Sequence, residues 1–307
     1  MAEWLYEEGI GENRAALVGG DQILEAEIEL PGQHRAGTVV DARLTAILTP
    51  GRRGIVALAG GGEALLEPVP PSLTEGAATR VVIVREAVAE PGRAKLPKAR
   101  VSEAAPRMGL SLLQRTRATG ARVTELSPHE QDRLEGAGWS AVIEAALTGE
   151  IPFSGGALRM ALTPAMTLFD VDGALEPAAL AVAGARAAGL AIRRFGLGGS
   201  IGVDLPTLAR KEDRQAAAAA LDAALPQPFE RTAVNGFGFL QIVRKRERPS
   251  VPEIVQGDPV GAAARLLLRR AERAPGAGER VIEAAPAAVA RIEANPDWLE
   301  ALARRLG

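Results

Sequence analysis

The segment from Met166 to Asp204 constrains the fold more than any other. An apolar run, Met166 to Val171, ends in Asp170 and Asp172, and a second, Ile201 to Val203, ends in Asp204. Between them Glu176 to Arg194 has helical length and composition: Leu180, Val182, Ala183, Ala187, Leu190 and Ile192 are apolar, while Arg186, Arg193 and Arg194 are charged. Strand, helix, strand is a βαβ unit, so the two strands are expected parallel in one sheet. Both acidic ends then emerge at the carboxyl ends of the strands, where open α/β sheets place their sites. Asp170 and Asp172 are two apart, so an extended backbone puts them on one face. Carboxylates converging there suit a hard divalent cation such as Mg²⁺, which takes one or two of them and keeps several waters. Asp at a strand end is also a common turn former or helix cap, and Asp172-Gly173 is a common turn pair. The residues alone leave both readings open.

The whole chain narrows the classes. At 307 residues it can hold one large or a few small domains with ample core. No apolar run approaches the roughly 18–20 residues of a membrane helix, so no membrane partner is expected. The amino-terminal MAEWLYEEGIGENR is acidic and lacks a signal-peptide pattern, which predicts a cytoplasmic location. The absence of Cys excludes disulfides, thiolate metal sites and cysteine nucleophiles. A net charge of −2 weighs mildly against tight non-specific binding to nucleic acid, but the charge is unevenly distributed.

Along the chain, Arg14–Val18 and Ile23–Leu30, joined by Gly19-Gly20-Asp21, read as a β-hairpin. Gly37–Leu48, Arg53–Leu58, Glu63–Leu66 and Ala78–Val84 are short strands between Gly or Pro turns, the pattern of a small barrel. Ser127–Leu147 reads as a helix with Ser127 as N-cap, Pro128 at its first position and Glu130 at the capping-box site. Trp139 reads as core, and Gly136 and Gly138 as helix breakers. His34 and His129 sit next to turn residues, far apart in sequence, and neither has the setting of a catalytic base. Leu208–Leu225 is an alanine-rich helix, Phe229–Val234 and Gly238–Val243 are strands, and the basic run Arg244-Lys245-Arg246-Glu247-Arg248 follows. The tail reads as an amphipathic helix Pro259–Ala274, a short strand Arg280–Glu283, and helices Ala285–Ala294 and Pro296–Arg305.

An ordered set of motifs resembles the catalytic core of the ribonuclease E/G family. Ser154-Gly155-Gly156 stands for its Ser-Gly-Gly hairpin, Leu162–Phe169 for the strand that follows, and Asp170-Val171-Asp172-Gly173 for its acidic end. Gly198-Gly199-Ser200-Ile201-Gly202-Val203-Asp204-Leu205 resembles the family's Gly-Gly-Ile-Ile-Val-Ile-Asp-Phe strand. Gly238-Phe239-Leu240-Gln241-Ile242-Val243-Arg244-Lys245-Arg246 resembles its later Gly-Leu-Val-Glu-Met-Thr-Arg-Lys-Arg strand. Order, spacing and residue types agree from Ser154 to Arg246.

The resemblance implies a mixed α+β and α/β chain of several subdomains. A ribonuclease-H-like segment opens with the hairpin of residues 1–35 and carries an inserted OB-fold RNA-binding barrel, residues 36–100. A reduced sensor and linker region follows at 101–153. Residues 154–250 form a deoxyribonuclease-I-like catalytic subdomain and 251–307 a small α/β tail. The family's stacking aromatics on the barrel correspond to Ile55 and Leu65, so binding there would fall to basic residues: Arg80, Arg85, Arg93, Lys95, Lys98 and Arg100. The same surface also reads as an ordinary solvated barrel face. Arg115-Thr116 matches the pair that holds the RNA 5′-monophosphate in the family, and Arg231-Thr232 a further phosphate contact. Arg115 reads equally as a surface arginine, and the basic run as a solvated face. Where long members carry a zinc-linking Cys-Pro-x-Cys, this chain has Val251-Pro252-Glu253-Ile254, so any oligomer is not zinc-linked.

The implied activity is endonucleolytic cleavage of single-stranded RNA to 5′-phosphate and 3′-hydroxyl products. Asp170 and Asp204 would hold Mg²⁺, with Mn²⁺ as the alternative, and Asp172 would stand beside them as the third catalytic carboxylate. Asp172 replaces the family's asparagine, which removes an amide donor and adds a negative charge. Arg244 and Arg246, with Lys245 between them, would clamp phosphate, because the basic run follows a strand next to the acidic site. Two rival classes remain: a non-catalytic member that binds RNA or a protein, and a metal-dependent hydrolase of small phosphoesters.

Overall fold

The computed structural model describes residues 2–90, 93–274, 281 and 283–306. The chain opens with β1 (Glu3–Glu8), β2 (Asn13–Gly19) and β3 (Gln22–Glu29), an antiparallel meander. The hairpin expected from the sequence is β2–β3, and β1 adds a strand that was not anticipated. The next strands are β4 (Val39–Thr49), β5 (Arg53–Leu58), β6 (Glu63–Leu66) and β7 (Ala78–Arg85), then a ribbon of β8 (Val88–Glu90) and β9 (Arg93–Lys95), and β10 (Lys98–Val101). Strands β10-β6-β5-β4-β7 close into a five-stranded, OB-like barrel with its own core around Leu44, Val56, Leu66, Val81 and Ile83. Inward residues alternate with outward ones along each strand, as closure requires.

Helix α1 (Leu112–Ala118) leads back to β11 (Val123–Glu125), which pairs parallel with β1 and completes the first sheet in the order β11-β1-β2-β3. The barrel is thus an insertion between β3 and β11. The helix expected from Ser127 starts later and in two pieces, α2 (Arg133–Gly136) and α3 (Trp139–Thr148). The Ser127 hydroxyl accepts from the His129 N–H in a turn, and it is Asp132 that caps α2 by accepting from the Glu135 N–H at 2.9 Å. Gly138, at φ +95°, breaks the path into α3, and Trp139 at its start is core.

The second sheet positions the acidic residues. Its strands are β12 (Glu150–Phe153), β13 (Gly156–Leu162), β14 (Thr167–Gly173), β15 (Gly199–Asp204), β16 (Glu230–Arg231) and β17 (Phe239–Arg244), ordered β12-β13-β14-β15-β17-β16. Strand β16 is shorter than the expected Phe229–Val234, pairing with β17 only through Glu230 and Arg231. Helix α4 (Pro177–Arg194) joins β14 to β15, which run parallel as the βαβ reading requires, and α5 (Lys211–Ala224) follows β15. Both helices cover one face of the sheet. The same core also holds Leu5, Ala16, Ala26 and Ile28 of the first sheet. Helix α4 is buried around most of its girth, through Ala181, Gly184, Ala185, Ala188, Gly189 and Ile192. That explains its small residues, which let strands and a helix approach it from several sides. A Cβ at Gly184 would lie 2.4 Å from Val171 Cγ1. Gly184→Ala is expected to cost about 1–3 kcal/mol through overpacking, measured by urea unfolding; an unchanged midpoint would mean that β14 yields freely.

The tail consists of α6 (Val251–Gly257), α7 (Pro259–Arg273), α8 (Pro286–Glu293) and α9 (Pro296–Leu306). The short strand expected at Arg280–Glu283 falls largely outside the described residues. Among the described residues no helix is long and apolar enough to cross a membrane.

Candidate active site

The site lies on the uncovered face of the second sheet. On β14, Thr167, Phe169 and Val171 point into the core, while Asp170 and Asp172 are exposed. On β15, Ile201 and Val203 point inward and Asp204 outward. The parallel register pairs Asp170 with Asp204. Strands in a sheet lie about 4.8 Å apart, so two carboxylates leaving the same face in register stand within reach of one small cation. The row continues on both sides. Glu150 pairs with Arg159, Arg159 with Asp170, Asp170 with Asp204, and Asp204 with Phe239. Gly202 makes room next to the row, because a Cβ there would lie 2.6 Å from Phe239 Cζ. The Phe239 ring therefore lies flat across the strand beside Leu168.

Charge within the row is unequally matched. Arg159 reaches Asp172 at 3.4 Å and Glu150 at 3.5 Å. Among the described residues, the Asp170 and Asp204 side chains have no ion-pair or hydrogen-bond partner. No three His, Asp or Glu side chains among the described residues gather into a metal-holding group. A caged metal such as Ca²⁺, with six to eight oxygen ligands, does not fit. A pair of free carboxylates with an open side does fit an ion that keeps most of its waters, the habit of Mg²⁺.

The expected phosphate contacts are placed differently. Strand β17 runs antiparallel to β15, so Arg244 pairs with Gly199 rather than with Asp204. The two positions are five strand steps apart, about 16 Å at the usual rise. Arg244 also shares the covered face with Leu240 and Ile242, where it donates to the Leu197 carbonyl at 3.1 Å. Burial pushes its guanidinium below the usual arginine range, with Glu25 opposing the shift. The basic run is therefore not beside the acidic site, correcting the expectation: an antiparallel strand carries its far end to the opposite edge. Lys245 pairs with Glu247 at 2.5 Å and Arg246 with Glu253. Arg231 is held by Asp222, which raises its pKa chiefly through that hydrogen bond.

Arg115 stands between Glu27 at 2.8 Å and Glu29 at 3.2 Å. Burial works against its charge, but Glu27, Glu29 and Glu86 together raise its pKa. The Thr116 hydroxyl is buried and donates to the Leu113 carbonyl at 2.9 Å. Arg115 thus ties α1 to β3 while Thr116 bonds back within α1, and neither is presented as a phosphate grip. Lys98 pairs with Glu67 at 2.6 Å, and Lys95 lines a cavity of about 490 Å³ under the β13–β14 turn, together with Arg246 and Glu253. On the barrel, Ile55 and Leu65 are register partners, an aliphatic pair where the resemblance led to a comparison with stacking rings.

Sequence reasoning missed Arg159 and Phe239. Their signal is the register itself: once the β13–β14 turn is placed at Thr163–Met166, Arg159 must face Asp170. No protein-family model matches this chain, and no curated protein matches it.

Proposed function

We propose that the chain is a divalent-metal-dependent endoribonuclease acting on single-stranded RNA, built on the ribonuclease E/G plan. The observation that carries this reading is the in-register pair Asp170 and Asp204, unpartnered on an open sheet face. The plan also accounts for the topology. The chain leaves the first sheet after β3, makes the barrel, and returns at β11, as a ribonuclease-H-like segment with an inserted OB-fold would. The second sheet then takes the part of the deoxyribonuclease-I-like subdomain.

Asp170 and Asp204 would hold Mg²⁺ or Mn²⁺. When bound, such an ion offsets charge on the scissile phosphate and acidifies a water. Arg159 balances the added charge of Asp172, and its remaining N–H groups face the same open surface, where a non-bridging phosphate oxygen would lie. The resemblance implies 5′-phosphate and 3′-hydroxyl products. Localisation in the cytoplasm belongs to the same reading.

The deciding experiment is cleavage of a 5′-monophosphorylated, AU-rich single strand by wild type and Asp204→Ala, in Mg²⁺ and in EDTA. The expected result is metal-dependent cutting that the substitution abolishes. Cutting that survives both EDTA and the substitution would overturn the reading. A non-catalytic RNA-binding module is the second reading, favoured by the internal pairing of Arg115, Thr116 and Arg231. Binding without any cutting by clean wild-type protein would select it.

A further inference from the structure

We propose that Phe237 is a nucleobase-stacking site for the nucleotide next to the phosphate held at Asp170 and Asp204. The proposal rests on reading the open sheet face as a nucleic-acid face. The chain has few aromatics, with Phe 6, Trp 3 and Tyr 1. Trp4, Tyr6, Trp139, Phe169 and Phe195 are buried, and the others are partly covered, apart from Phe237 at 82% exposure. The one fully presented ring therefore stands two residues before Phe239, the register partner of Asp204.

Its position is fixed rather than loose. The Asn235 side-chain oxygen accepts from the backbone N–H of Phe237 at 2.9 Å and of Phe239 at 3.0 Å. Gly238 N–H donates to the Asn235 carbonyl at 3.2 Å, and Leu205 N–H donates to the Gly238 carbonyl at 3.2 Å. Gly238 sits at φ +93°, with its Cα so close to the Leu205 carbonyl that a Cβ would lie 2.2 Å from the oxygen. The turn is thus docked on the residue that follows Asp204. A braced turn that holds a phenyl ring in water serves no packing purpose. It does serve a base, because every base has a π-face and stacks without regard to sequence. The half-buried Phe239, in register with Asp204, gives an apolar surface beside the carboxylates, and Leu168 and Gly202 extend it on their far side. The barrel, with Ile55 and Leu65, offers no ring of its own.

The test uses the full chain and a labelled 2′-O-methyl oligoadenylate in Mg²⁺, with an abasic oligomer of the same length as control. Phe237→Ala and Phe237→Leu are expected to weaken binding of the base-bearing oligomer about tenfold, the order of one stacked base, and to leave the abasic one unchanged. Phe237→Trp is expected to keep the affinity and to show fluorescence quenched by the base-bearing oligomer alone. Unchanged affinity in Phe237→Ala with unquenched fluorescence in Phe237→Trp would overturn the proposal. So would self-association of wild type, by light scattering, that Phe237→Ala abolishes, since a second copy would then cover the ring. Quenching without any RNA cleavage would leave the stacking site standing while the nuclease reading falls. Cleavage with an unaffected KM in Phe237→Ala would do the reverse.

Discussion

Glu7→Gln is expected to lower the free energy of unfolding by about 3–5 kcal/mol, the cost of breaking a buried ion pair from one side. Glu7 on β1 is the hub of a network that is almost wholly out of water. It accepts from Arg14 Nη1 at 2.6 Å, Arg269 Nε at 2.8 Å and Arg273 Nε at 3.0 Å. Beside it, Glu12 accepts from Arg14 Nε at 2.7 Å and Arg265 Nε at 2.6 Å, and Asp132 accepts from Arg269 Nη2 at 2.6 Å. The amide keeps the shape of the carboxylate but leaves three guanidinium groups sharing no central charge. Urea unfolding at neutral pH measures the loss, and a change under about 1 kcal/mol would place Glu7 among pairs of surface strength.

The same group sets an acid limit. Burial tends to raise the Glu7 carboxyl, but Arg14, Arg269 and Arg273 outweigh it and hold the pKa below the ordinary 4.5. Asp132 is likewise held below 3.8, against its burial, by Arg269 and the Glu135 N–H. A folded-state value below the unfolded one gives stability that is complete above the unfolded value. That stability drains away as pH falls through the folded one. Wild type should therefore lose stability progressively below about pH 4.5. Glu7→Gln, lacking one of these contributions, should show a shallower acid slope in the same unfolding series.

Asp170→Asn and Asp172→Asn are expected to behave very differently, although the two positions share a strand face. Asp170 is paired in register with Asp204 and has no cation of its own among the described residues. Losing its charge halves the carboxylate pair, and Mg²⁺-dependent cleavage should fall at least about a hundredfold, equivalent to several kcal/mol of charge stabilisation. Asp172 is matched by Arg159 in an exposed pair, worth about 0–1 kcal/mol. Asp172→Asn should keep the maximal rate within about tenfold and raise the Mg²⁺ concentration needed for half of it. Rates across a Mg²⁺ titration, with circular dichroism as a check on folding, separate the two. Equal losses at both positions would make Asp172 a member of the metal set.

The central βαβ unit was legible in the sequence because two runs rich in buried apolar residues flank a segment of helical length. The acidic ends stand out where that burial stops. The barrel was legible from short strands at even spacing. Which arginines are engaged was not legible. The residues of α7 read as one amphipathic helix, yet Arg265 and Arg269 lie on its buried side. Arginines spaced by four normally mark a solvated face. Here they face inward because β1 and the turn after it bring Glu7 and Glu12 to meet them. The pairing of Arg115 and Arg231 was hidden for the same reason, since their carboxylate partners come from other elements. Strand direction decided the rest. The basic run follows β17 directly, but only the antiparallel pairing reveals that it ends at the edge away from Asp204.

The clasp between β1 and α7 has a consequence for how the protein is made. Glu12 and Arg265 are 253 positions apart, so the ribosome releases the hairpin long before the helix that neutralises it. Until then Arg14, on β2 itself, is the one arginine of the clasp at hand for Glu7 and Glu12. The opening sheet therefore gains its full set of charge partners only once α7 has been made, whereas the barrel, with a core of its own, can form before that.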